Sequence, residues 1–135
     1  MTERPGGTVG DFMNRHMESV PPHTTIVEAA ERMREKSIGS LLVESTNTED
    51  RMSRRSGIVT ETDLIRKVLA KGMDASLARV DQVMTSPLLT ITPDRPMLDA
   101  SHIMETNRVR HLCISEEEEI VGVISIRDLA RYFVD

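Results

Sequence analysis

Gly57-Ile58-Val59-Thr60-Glu61-Thr62-Asp63 and Gly122-Val123-Ile124-Ser125-Ile126-Arg127-Asp128 are one phrase written twice in a single chain. Each copy runs from a short apolar strand into a helix start and sets a hydroxyl three residues before a carboxylate. A supersecondary unit that recurs has to be stable as a pair, so the duplication constrains function more than any single residue does.

Working outward, a shift of 71 positions brings Val9 onto Val80, Met13 onto Met84, Pro22 onto Pro93, Ala29 onto Ala100, Met33 onto Met104 and Leu41 onto Leu112. Intervening positions keep their character, as where Val20 meets Ile91 and Ile38 meets Val109. From Gly57 the shift falls to 65, so the first copy holds six extra residues between Val43 and Gly57, as a longer hairpin tip would.

Each copy predicts the order short helix, strand, helix, strand, strand, helix. Ile26, Ala29, Ala30 and Met33, and again Met97, Ala100, Ile103 and Met104, fall at helical spacing. Ser40 to Val43 and His111 to Ile114 are β-type runs, each followed by a polar turn and a second strand. The final helices carry Leu64, Ile65, Val68 and Leu69, or Leu129, Tyr132 and Phe133. This mixture implies an α/β or α+β fold with helices packed on sheets. Residues 1–70 form the first repeat, 71–79 a linker and 80–135 the second repeat. A half of about 65 residues buries too little apolar surface to stand comfortably alone, so the halves are expected to share one core.

The 135-residue chain is 29% charged and 39% hydrophobic, without an apolar run near the ~18 residues that span a membrane. Residues 1–10 lack the layout of a secretory signal, so a cytoplasmic location is expected. Cys113, the single cysteine, lies in the apolar run Leu112-Cys113-Ile114 and reads as a buried, inert thiol. A formal net charge of -5 argues against a duplex nucleic acid partner. Arg51, Arg54 and Arg55 are a basic exception inside the longer loop, read as a solvated tip; the matching turn, Glu116 to Glu119, is acidic. His16, His23, His102 and His111 show no metal-ligand spacing, and neither a nucleophile elbow nor a Walker-type loop is present, so no enzyme activity is expected.

The paired order of elements, the runs Ile38-Gly39-Ser40-Leu41-Leu42-Val43 and Val109-Arg110-His111-Leu112-Cys113-Ile114, and the two Gly-apolar-apolar-Thr/Ser-x-x-Asp phrases closely resemble a tandem of cystathionine-β-synthase-type domains, the CBS pair or Bateman module. The resemblance covers residues 8 to 135. One departure is the middle strand, where the proline of many members is Leu42 here and Cys113 in the second copy. It implies two β-α-β-β-α repeats about a pseudo-twofold axis, association as a homodimer, and adenosine-type ligands in clefts built from both copies. By that resemblance Ser125 and Asp128, with Arg127 beside them, combine with Thr8, Met13, Ile38 and Gly39; Thr60 and Asp63 combine with Arg79, Met84, Val109 and Arg110. The strand backbone at Ile38 or Val109 would read the adenine edge. The expected regulatory ligand is AMP, ADP or ATP, with S-adenosylmethionine and NAD in the same class.

Two readings of the phrase stand side by side. Thr60-x-x-Asp63 and Ser125-x-x-Asp128 are acceptable capping boxes, which any helix can use. Alternatively, unpaired N–H groups at the helix start and the hydroxyl take a phosphate, while the Asp accepts hydrogen bonds from a ribose diol. Charge does not separate the two sites cleanly and leans towards Asp128: Glu61 sits beside Asp63, with Arg108, Arg110 and His111 of the other copy to offset it, whereas Arg127 and Arg131 accompany Asp128 and are expected to face Arg34 and Lys36. The first reading makes the chain a scaffold; the second makes it a sensor.

Overall fold

The computed structural model describes residues 7–45 and 55–134. The elements follow the predicted order: α1 (Val9–Phe12), β1 (Ser19–Val20), α2 (Ile26–Lys36), β2 (Ser40–Glu44), β3 (Arg55–Thr60) and α3 (Glu61–Asp63), which runs on into a π-helical segment, Leu64–Leu69. The second half repeats them as α4 (Val80–Val83), β4 (Thr90–Ile91), α5 (Met97–Asn107), β5 (His111–Glu116), β6 (Glu119–Ser125) and α6 (Ile126–Val134). Two three-stranded sheets result, β1-β2-β3 and β4-β5-β6, each with one parallel and one antiparallel pairing. The fold is thus mixed α+β, as the pattern predicts.

The chain divides into two compact units, one of residues 17–88 and one of residues 1–16 with 89–135. Each repeat's sheet is therefore completed by the leading segment of the other repeat. In the 17–88 unit, Val80 N–H bonds Thr24 C=O at 2.9 Å, and Thr85 and Ile58 exchange N–H···O bonds of 2.9 and 3.1 Å. In the other unit, Val9 N–H bonds Arg95 C=O at 2.8 Å, and Asn14 and Val123 exchange bonds of 2.9 and 3.0 Å. The sequence leads one to expect a shared core; the buried side chains form one cluster in each unit. Val80 and Val83 join Val20, Ile26, Met33, Leu41, Val59 and Val68, while Val9 joins Ile91, Met97, Met104, Leu112, Ile124 and Leu129. The exchanged segment supplies part of the apolar surface that a single half lacks.

The phrase glycines are explained by the same exchange. A Cβ on Gly57 would lie 2.7 Å from the Thr85 carbonyl oxygen and 2.7 Å from Met84 Sδ; one on Gly122 would lie 2.6 Å from Met13 Sδ and 3.1 Å from the Asn14 oxygen. Only glycine lets the leading segment pass this close to the strand. The segment 70–79 also holds α2 in place, because the N–H groups of Ile26 and Val27 bond the carbonyls of Ala78 and Ala75 at 2.9 and 3.1 Å.

The final helices differ between copies. In the first, Ala70 N–H reaches Ile65 C=O and Met73 N–H reaches Val68 C=O, five residues back, so Val68 is buried while Ile65 and Leu69 are exposed. The 126–134 helix stays α, with Leu129 buried. The acidic turn is a tight hairpin in which Glu117 and Glu118 both take positive φ. Arg51 and Arg54 lie outside the described residues, and Arg55 opens β3.

Candidate functional site

Each unit carries one strand-to-helix corner, and the two corners are built by matching hydrogen bonds. Ser40 pairs with Thr60 across β2 and β3, and His111 pairs with Ser125 across β5 and β6. The first helical N–H then bonds back to the partner strand's approach: Glu61 N–H to Gly39 C=O at 3.0 Å, and Ile126 N–H to Arg110 C=O at 2.8 Å. Gly39 and Arg110 occupy equivalent places for this reason.

Both carboxylates cap their own helices. Asp63 Oδ2 accepts from the Thr60 N–H at 2.9 Å and from its hydroxyl at 3.2 Å, while the hydroxyl accepts from the Asp63 N–H at 3.3 Å. Asp128 Oδ2 accepts from the Ser125 N–H at 2.8 Å and from its hydroxyl at 3.0 Å, with the return bond at 3.3 Å. The capping geometry is therefore real in both copies. Of the three amide donors that open each helix, the first is held by the strand and the third by the hydroxyl, so the N–H groups of Thr62 and Arg127 alone lack a partner among the described residues. The amide cradle is accordingly narrower than four orphan donors would make it, and each hydroxyl proton already points at its own carboxylate.

Capping alone does not set these corners apart, because the chain caps elsewhere with the same chemistry. Thr25 N–H and hydroxyl bond Glu28 at 2.9 and 3.0 Å, and Thr8 bonds Asp11 at 3.2 and 3.1 Å. Those carboxylates are exposed; Asp128 is half-buried, and Asp63, at 8% exposure, is a buried charge. The Thr25 bonds, amide first, hold Glu28 below the usual carboxylate range.

What lies on the second carboxylate oxygen separates the corners. Lys67 Nζ stands 3.0 Å from Asp63 Oδ1 and donates to the Val83 carbonyl at 2.9 Å. Asp128 Oδ1 has no hydrogen-bond or ion-pair partner among the described residues. Sequence reasoning passed over Lys67, although an Asp and a Lys four apart on a helix is a legible pair.

The remaining expected residues divide by unit. Ile38, Gly39, Thr60, Asp63, Arg79 and Met84 belong to the 17–88 unit; Thr8, Met13, Val109, Arg110, Ser125, Arg127 and Asp128 belong to the other. Met84 and Met13 lie against Gly57 and Gly122. The N–H groups of Ile38 and Val109 close helix ends by bonding Met33 and Met104 carbonyls, both at 3.0 Å. Arg79 Nε pairs with Asp81 at 3.1 Å. Cys113 is buried, and desolvation pushes its thiol up to about 12, so it is no nucleophile at neutral pH. Among the described residues no three His, Cys, Asp or Glu side chains gather to hold a metal ion, and no helix is long and apolar enough to cross a membrane.

A duplicated α+β unit with a half-buried or buried carboxylate at each helix mouth defines a paired-repeat module. The CBS domain pattern matches residues 9–70 and 80–135, and the chain belongs to the CBS domain family. It is similar to an uncharacterized 17.7 kDa protein of Acidianus ambivalens, 38% identical over 117 residues, covering 86% of this chain and 66% of that protein. Of a second curated relative, the chain spans 53% of the length. An uncharacterized conserved protein of Pyrococcus horikoshii shares the fold with a TM-score of 0.83 and 27% identity, over 98% of this chain and 96% of that one. A hexameric CBS-CP12 protein from bloom-forming cyanobacteria gives 0.83 and 27%, over 92% of this chain and 70% of the other.

Proposed function

We propose that this chain is a non-enzymatic regulatory module that binds an adenosine-type nucleotide, AMP, ADP or ATP, at the Asp128 corner. The observation that carries the reading is the divided use of one carboxylate: Asp128 Oδ2 closes the cap while Oδ1 is left open on a half-buried group. A ribose diol donates hydrogen bonds, and an ionised carboxylate is a strong acceptor for them. The phosphate falls to the Arg127 N–H and to the guanidinium groups of Arg127 and Arg131, both exposed. Binding then works by differential affinity: a state that presents this corner better is populated at the expense of others, and the change passes to a partner or to self-association. The hexameric relative supports a signal carried through assembly, and a homodimer is the simplest such state here.

The capping bonds themselves favour a second reading, a ligand-independent scaffold. Asp128→Asn separates the two, because Asn keeps an oxygen for the Ser125 cap while replacing the outward acceptor with a donor. In a thermal-shift screen with AMP, ADP, ATP, S-adenosylmethionine and NAD, ligand at 100 times its dissociation constant stabilises by about 2.7 kcal/mol. Asp128→Asn removes that gain and leaves the unliganded melting temperature near that of the wild type. No shift with any of the five ligands supports the scaffold.

A further inference from the structure

We infer that Lys67 confines the chain to one bound nucleotide, at Asp128, by occupying the equivalent carboxylate itself. The inference rests on the nucleotide-binding reading and adds its stoichiometry. At the Asp63 corner both carboxylate oxygens are taken, Oδ2 by Thr60 and Oδ1 by the Lys67 ammonium at 3.0 Å. The same ammonium holds the Val83 carbonyl at the C-terminal end of α4, so a diol arriving at Oδ1 has to displace, or share the oxygen with, a cation that is anchored at a second point. In the second copy the position equivalent to Lys67 is Tyr132, which stacks edge-on against Phe12 with ring centroids 4.9 Å apart and supplies no cation.

A second feature acts in the same direction. The carboxylate of Glu61 lies over Gly39, with Oε1 2.7 Å from where a Cβ would stand, so a second negative group flanks the first corner. Its counterpart in the second copy is Ile126. Phosphate is repelled at one corner and accepted at the other.

Equilibrium dialysis of the full chain against radiolabelled AMP, ADP and ATP, each in turn, reads the number of sites. The wild type is expected to hold one nucleotide per chain, and Asp128→Asn none. Lys67→Met is expected to hold two, the new site weaker than the first. Lys67→Gln, which keeps a donor for the Val83 carbonyl, serves if circular dichroism shows that Lys67→Met is unfolded. Two sites in the wild type, or one site in the folded Lys67 variants, would overturn the inference while leaving nucleotide binding intact. No binding of any of the three to any variant would remove the nucleotide reading and this inference with it.

Discussion

Removing the charge of Lys67 should weaken the fold through Asp63. Asp63 is a buried carboxylate with three partners, and Lys67 is the only cation among them. Lys67→Met keeps the aliphatic stem and deletes the ion pair together with the donor to Val83. A hydrogen bond to a charged group contributes about 1.5–3 kcal/mol, and the 42% exposure of the Lys67 side chain lets water screen part of that, so a loss of about 1–2 kcal/mol is expected. Asp63→Asn leaves the Thr60 cap an oxygen and removes the other half of the pair. Urea unfolding followed by circular dichroism, on both single variants and the double, gives the coupling directly. The double variant should lose about 1 kcal/mol less than the two singles together, and the coupling should shrink at 0.5 M salt. Additivity within about 0.3 kcal/mol would show that the 3.0 Å contact contributes nothing and would refute the account of Asp63 as a carboxylate that depends on its cation.

Gly57→Ala should destabilise more than Gly122→Ala, by about 1–3 kcal/mol against a smaller loss, because the first meets a fixed backbone carbonyl and the second mainly the mobile end of Met13. Chemical denaturation of both variants checks the order, and equal losses would contradict it. Ser125→Ala and Thr60→Ala should each cost about 1 kcal/mol, as lost caps do, measured by thermal unfolding. Cys113 should resist a thiol reagent until its unit unfolds, so labelling under increasing urea should follow the unfolding curve. The raised thiol pKa also has a sign: the folded state holds its proton more tightly, so this contribution is complete below pH 9 and declines as pH climbs from 9 towards 12. A stability that rises over that interval would contradict the burial of Cys113.

The element order and both helix-capping phrases were legible from residue types, because period 3.6 and period 2 patterns and Thr/Ser-x-x-Asp spacing are local signals. Val80 and Val9 were legible as apolar positions, yet the unit each would join was not, since nothing local in a four-residue helix states its distant partner. The glycines of the phrase were legible only as repeated positions; Gly57 is set by the Thr85 carbonyl and Gly122 chiefly by Met13, contacts made across 28 and 109 residues of chain. The π-helical segment was equally hidden. Its sequence, Leu64 to Leu69, has ordinary helical character, and the structure offers no local reason for the wider turn. Lys67 was readable in spacing, but its second contact, the Val83 carbonyl, lies beyond the linker.

The exchange of leading segments also orders events in time. A chain emerging from the ribosome has every residue of the 17–88 unit in hand as soon as Leu88 clears the tunnel, so that unit can close during synthesis. Val9, by contrast, shares its buried cluster with Ile124 and Leu129 and must wait for them, exposed, through more than a hundred further additions. Residues made ahead of the 17–88 unit are thus among the last to be sheltered, and a pause in translation between them would lengthen the interval in which their apolar side chains are open to wrong partners.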